Sequence, residues 1–168
     1  MKIKGRVWRF GDNIDTDQII PAEYLVTGDS EELAKHAFEK VRPEFAGKVR
    51  KGDIIVAGKN FGCGSSREHA ARALVGSGVA CVAAASFARI FFRNSINISL
   101  PLVECVVDAE DGDEIEIDFG RGSIEVNGRH FAFKPLPKFL QNLLGSGGLI
   151  EYTQRKLGRK AHELASQA

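Results

Sequence analysis

Gly58-Lys59-Asn60-Phe61-Gly62-Cys63-Gly64-Ser65-Ser66-Arg67-Glu68-His69-Ala70-Ala71 follows an apolar run, Ile54-Ile55-Val56-Ala57, and leads into an alanine-rich segment ending near Val75. The order is strand, glycine loop, helix. Gly62 and Gly64 permit positive φ and a close backbone approach to a ligand. Ser65 occupies the position of a helix N-cap, and Glu68 three residues on completes a capping box. A helix N-terminus concentrates free N–H groups and the positive end of the dipole, which favours an anion. Arg67 adds a fixed charge whose fork matches a carboxylate or a phosphate.

Each residue also has a plainer role. Ser65 by pattern is a cap, Arg67 a solvated first-turn residue, His69 a surface or core histidine, and Cys63 a small buried residue. The loop is not a phosphate loop of the Gly-x-x-x-x-Gly-Lys-Ser/Thr kind, because no lysine precedes the serines. It is not a dinucleotide fingerprint either, since position 67 is not glycine. Spacing alone implies an anion site for a small carboxylate or phosphate.

The 168 residues suit one domain spanning the chain, with enough length for a proper core. Apolar residues make up 43% and charged residues 27%, the balance of a soluble globular protein. A net charge of +1 implies neither a nucleic-acid nor a membrane partner. Met1 to Phe10 lacks the apolar core of a signal peptide. No run approaches the roughly 18 apolar residues of a membrane span. Cys63, Cys81 and Cys105 are widely separated and odd in number, so neither a disulfide framework nor a Cys-x-x-Cys metal site follows. These features point to a cytoplasmic protein with free thiols.

Along the chain, Lys2 to Phe10 alternates as a strand and Gly11-Asp12-Asn13 is a turn. Ile14 to Pro21 reads as a mostly apolar strand end that holds Asp15 and Asp17; an Asx turn accounts for such carboxylates, and so does an Asp17 that points into a site. Ala22 to Asp29 is a loop with exposed apolar groups. Ser30 is read as the cap of a helix of roughly ten residues that stops before Pro43. Val79 to Ala84 is a buried strand, so residues 53–84 form a parallel β-α-β unit with the glycine loop at the carboxyl end of its first strand. Ser86 is read as the cap of a helix over 87–95. Leu100 to Cys105 is a strand, with Pro101 near its start or an edge. From Asp111 the pattern becomes an antiparallel meander, with Asn127-Gly128 as a two-residue hairpin turn. Pro137 to Leu144 is helical, Leu149 to Leu157 is a second short element, and the tail from about residue 158 is expected to fray.

Three stretches carry a family resemblance. Asn60 to Ala70 resembles the signature of the small subunit, or swivelling domain, of the aconitase superfamily. Asp12 to Ala22 resembles its N-terminal signature. Ser86 to Asn94, followed by Leu100-Pro101-Leu102, resembles its third. The motifs stand in the right order, and the chain's length is similar to that of the stand-alone small subunits of the 3-isopropylmalate dehydratase family. The resemblance implies an α/β fold: a three-layer β/β/α swivelling domain with a parallel β-α-β core and an antiparallel meander. It implies a hydro-lyase of leucine biosynthesis that isomerises 2-isopropylmalate to 3-isopropylmalate by dehydration and rehydration. It also implies a large-subunit partner, in a heterodimer or heterotetramer. That partner carries a 4Fe-4S cluster, and this chain carries no metal.

By the same resemblance Ser65 matches the general base and Asp17 an active-site aspartate. Ser66 and Arg67 match positions that hold substrate carboxylate beside Gly64. The loop Tyr24-Leu25-Val26-Thr27 matches the specificity loop. Homoaconitase-like members resemble Tyr-Leu-Arg-Thr there, and the arginine holds the extra carboxylate of a tricarboxylate. Val26 puts an aliphatic residue in its place, as isopropylmalate-type members do, while Thr27 is shared with homoaconitase-like members. The small-molecule substrate is a hydroxy-di- or tricarboxylate. The alternatives are a homoaconitase or methyl-substituted malate dehydratase small subunit and, in other classes, a non-catalytic anion-binding module or a structural partner. Neither of the last two roles needs a base, whereas Asp17, Ser65 and Arg67 stand together.

Overall fold

The computed structural model describes residues 1–166. Its elements are β1 (Lys2–Arg9), α1 (Thr16–Ile19), α2 (Ser30–Ala34), α3 (Phe45–Lys48), β2 (Ile54–Ala57), α4 (Glu68–Gly76), β3 (Cys81–Ala84), α5 (Arg89–Asn97), β4 (Leu102–Glu104), β5 (Glu114–Asp118), β6 (Ser123–Val126), β7 (Arg129–Ala132), α6 (Lys138–Gly145) and α7 (Leu149–Ser166).

One sheet holds all seven strands in the order β4-β3-β2-β1-β5-β6-β7. β1 is the seam. It pairs parallel with β2, Val7 beside Ile54, and antiparallel with β5, Ile3 beside Ile117. The pleat then sorts side chains with period two. Trp8, Ile55, Ala57, Val82, Ala84 and Leu102 pack against Leu33, Phe38, Phe45, Leu74 and Phe91 on the helical side. Val7, Ile54, Val56, Cys81, Ala83 and Val103 share a second core with Ile115, Ile117, Ile124 and Val126 of the meander. The sheet therefore curls until its antiparallel half covers one face of its parallel half, which gives the three-layer β/β/α arrangement. Burial on both faces is why β2 and β3 are apolar throughout. The Arg129–Asp108 ion pair and a Cys105 thiol 3.6 Å from the Ala132 carbonyl link the end of β4 to β7.

Asp53 fixes the seam. Its Oδ2 accepts hydrogen bonds from Arg6 Nη2 at 2.8 Å, Trp8 Nε1 at 2.8 Å and the Arg50 N–H at 2.9 Å. Burial alone would raise this carboxyl, but those three donors and the nearby Arg6 charge outweigh it and hold the group below its usual range.

Three local expectations are corrected. The Ile14–Pro21 stretch is not a strand end: Thr16–Ile19 is a short helix, capped by Asp15 in a capping box with Gln18. The helix expected over residues 30–41 covers only Ser30–Ala34, and its cap is Asp29. Phe38 takes a left-handed φ of 56°, since burial between Phe10 and Phe45 and the bond from its N–H to the Ile19 carbonyl at 2.9 Å turn the chain out of the helix. Ser86 does not cap α5, whose N-cap is Ala88; its hydroxyl accepts from the Asn60 N–H at 2.8 Å. Past Leu157 the chain continues as part of α7, which runs to Ser166. The segment is rich in good helix formers and lacks proline, and Gly158 costs only about 1 kcal/mol within it. Gln167 and Ala168 lie outside the described residues.

Candidate active site

Three loops meet beyond the carboxyl ends of β1, β2 and β3. The first two lie side by side. The Gly58 N–H donates to the Gly11 carbonyl at 3.1 Å, Asn13 N–H to Lys59 at 2.8 Å, Gly62 N–H to Ile14 at 2.7 Å and Thr16 N–H to Cys63 at 2.8 Å. The third joins them through Phe61 N–H to Ser86 and Ala88 N–H to Phe61, both at 3.0 Å. Gly62 has φ 80°, and a Cβ there would lie 2.2 Å from Cγ of Phe91, so only glycine fits. Gly64, at φ 93°, turns the loop towards Thr16.

Ser65 is not the cap that its capping-box pattern predicts. The N-cap of α4 is Arg67, extended at φ −118° and ψ 112°, and no side chain caps the helix. The Ser65 carbonyl accepts from the Arg67 N–H at 2.9 Å and from Thr16 Oγ1 at 3.2 Å. Those bonds hold the loop open for two more residues before the helix starts. Ser65 and Ser66 are exposed, and among the described residues the Ser65 hydroxyl has no hydrogen-bond partner. A free hydroxyl thus stands beside an uncapped helix N-terminus, which is an electropositive setting.

Arg67 and Asp17 come together. Arg67 is largely covered, and its Nη1 is buried without a hydrogen bond, 3.7 Å from Asp17 Oδ1. Asp17 Oδ2 accepts from Lys40 Nζ at 3.0 Å, and Oδ1 from the Ala22 N–H at 3.2 Å. The Lys40 hydrogen bond is the main cause that holds the Asp17 carboxyl below its usual range; desolvation opposes it, and the Ala22 N–H with the Lys40 and Arg67 charges helps to outweigh that opposition. Of the two neighbouring aspartates, Asp15 does the structural work of the cap and Asp17 faces the basic groups. Burial, with the Asp15 charge, pushes the Cys63 thiol up, so it is neutral at neutral pH.

The 25–27 loop has one anchored and one free aliphatic residue. Leu25 packs against the helical-side core, whereas Val26 is 94% exposed. Thr27 Oγ1 accepts from the Asp29 N–H at 3.1 Å. The loop is tied to Asp17 through Ala22 at one end and to α4 through Arg72 Nη1 and the Gly28 carbonyl, 3.1 Å apart, at the other. Tyr24 stacks on His36 with ring centroids 3.6 Å apart. The sequence pattern points to neither Lys40 nor Thr16, which the structure places against Asp17 and the Ser65 carbonyl. Lys40 belongs to a charged segment that reads as a solvated face, and nothing in its spacing relates it to Asp17. Among the described residues no three His, Cys, Asp or Glu side chains converge on a metal site. Cys81 lies wholly buried in β3, apart from the site loops. The thiols of this chain do not fit a cluster.

Known proteins resemble the chain along nearly its whole length. The family described as the Aconitase C-terminal domain matches residues 23–104. A 3-isopropylmalate dehydratase small subunit of Caldicellulosiruptor bescii is 56% identical over 166 residues, 96% of this chain and 100% of that one. A 3-isopropylmalate dehydratase small subunit 1 of Methanopyrus kandleri is 57% identical, covering 96% of this chain and 97% of that one. The crystal structure of a 3-isopropylmalate dehydratase from Methanocaldococcus jannaschii aligns with a TM-score of 0.94 at 41% identity, covering 97% of this chain and 99% of that chain.

Proposed function

The chain belongs to the family of 3-isopropylmalate dehydratase small subunits, and from that premise we propose how its residues serve the reaction. It is the small subunit of a hydro-lyase that acts with a large subunit to interconvert 2- and 3-isopropylmalate in leucine biosynthesis. The large subunit carries the 4Fe-4S cluster, which when bound supplies a Lewis acid for the departing hydroxyl. Everything else asked of this chain is carboxylate binding, orientation and one proton transfer.

Ser65 takes the proton from the carbon next to the substrate carboxylate. A serine hydroxyl is normally a weak base, so its alkoxide needs positive potential. The uncapped N–H groups of α4 and the guanidinium of Arg67 supply it without reorganisation. Arg67 and Ser66 hold a substrate carboxylate, and Asp17 stands beside Arg67 as the site's aspartate. Val26 faces the isopropyl group: burying that group is worth roughly 1–3 kcal/mol, whereas an extra carboxylate against Val26 would lose hydration without a partner, at a cost of several kcal/mol. The observation that carries the reading is the free Ser65 hydroxyl at the mouth of the loop, released from capping. Reconstitution with the large subunit and assay on 2-isopropylmalate and homocitrate tests it; the expected result is turnover of isopropylmalate by the pair and by neither subunit alone. Among the described residues no helix is long and apolar enough to cross a membrane.

A further inference from the structure

Arg67 keeps a buried Nη1 without a hydrogen bond although a carboxylate lies 3.7 Å away. Left to themselves, an arginine and an aspartate at that range close into a forked, charge-assisted pair. Here both Asp17 oxygens are already engaged: Oδ2 by Lys40 at 3.0 Å and Oδ1 by the Ala22 N–H at 3.2 Å. Lys40 stands two residues after a left-handed turn. Phe38, fully buried, takes its left-handed φ of 56°, a costly conformation for a bulky residue. The same turn directs His36 and Glu39 onto Tyr24: Glu39 Oε1 accepts from the Tyr24 hydroxyl at 3.0 Å and Oε2 lies 2.7 Å from His36 Nδ1. The charged groups around the carboxylate are Lys40 and Arg67, with Glu23 near Lys40.

We propose that Lys40 is a positioning residue that draws Asp17 off Arg67 and so leaves the guanidinium open for a substrate carboxylate. The inference rests on the assignment of Arg67 as a carboxylate contact. A mere surface ion pair, once removed, would leave KM unchanged. Lys40 and Asp17 are each nearly half exposed, at 45% and 46%, and such pairs contribute little to stability. Any effect of removing Lys40 should therefore fall on substrate binding and not on the fold.

The test compares Lys40→Met and Lys40→Arg in the reconstituted two-subunit enzyme, with a crystal structure of the Lys40→Met small subunit. In Lys40→Met, KM for 2-isopropylmalate is expected to rise about tenfold, with kcat changed less than about threefold and the melting temperature unchanged. Lys40→Arg is expected to restore KM to within about twofold. In the crystal, Asp17 and Arg67 should close to hydrogen-bond distance, within about 3.2 Å. An unchanged KM, or an Asp17–Arg67 separation that stays at its present value, overturns the proposal. If the wild-type pair fails to turn over isopropylmalate, the assigned reaction falls instead, and the crystal structure still decides what Lys40 does.

Discussion

The Thr16 hydroxyl donates to the Ser65 carbonyl across 3.2 Å, and the Thr16 N–H donates to the Cys63 carbonyl at 2.8 Å. One almost fully buried residue at the start of α1 therefore holds two points of the glycine loop, on either side of Gly64. This clamp keeps Ser65 out of the helix and its hydroxyl free.

Thr16→Val keeps the shape and the backbone bond but removes the hydroxyl. Its loss is expected to cost about 1 kcal/mol, a fall of about 2–4 °C in melting temperature, while turnover drops about tenfold because the base is no longer held in place. Thr16→Ser should recover most of the turnover. Thermal unfolding and steady-state kinetics on the reconstituted enzyme check both.

Asp53 predicts a pH dependence. Its folded carboxyl titrates below the usual aspartate value, so its contribution is complete above about pH 3.9 and fades as pH falls through the lower folded value. Asp53→Asn is expected to destabilise the chain by roughly 2–3 kcal/mol at pH 7. The gap to wild type should narrow as pH falls below about 3.9. Urea unfolding at a series of pH values measures this; a gap independent of pH would remove Asp53 from the account of the seam.

Val26→Arg alters a side chain that is 94% exposed, so the fold should not notice. Catalytic efficiency on isopropylmalate should fall and that on homocitrate-like tricarboxylates should rise, as the arginine pairs with the extra carboxylate. The ratio of the two efficiencies, wild type against variant, is the measurement. A ratio that does not move takes the 25–27 loop out of the specificity argument.

Where local chemistry and tertiary packing agree, the sequence was legible. The Asn127-Gly128 turn has positive φ at both residues, as a two-residue hairpin needs. Pro101 precedes edge strand β4. Gly62 and Gly64 have the positive φ that their loop implied. The failures share one cause. Ser30, Ser65 and Ser86 each look like helix caps, but Asp29 accepts the first-turn N–H groups of α2, while the Ser65 carbonyl and the Ser86 hydroxyl are committed to neighbouring loops. Phe38 leaves its helix for the same reason, since its ring is worth more in the core than its backbone is in another helical turn. Lys40 was invisible because its partner is 23 residues away across that turn.

Ser65→Ala, assayed with the large subunit, tests the central claim most directly. The hydroxyl caps nothing, so the variant should assemble and melt within about 1 °C of wild type, unlike the removal of a true cap, which costs about 1 kcal/mol. Turnover of 2-isopropylmalate should fall by about 100-fold or more. A variant that turns over within a few-fold of wild type would contradict the assignment of Ser65 as the base.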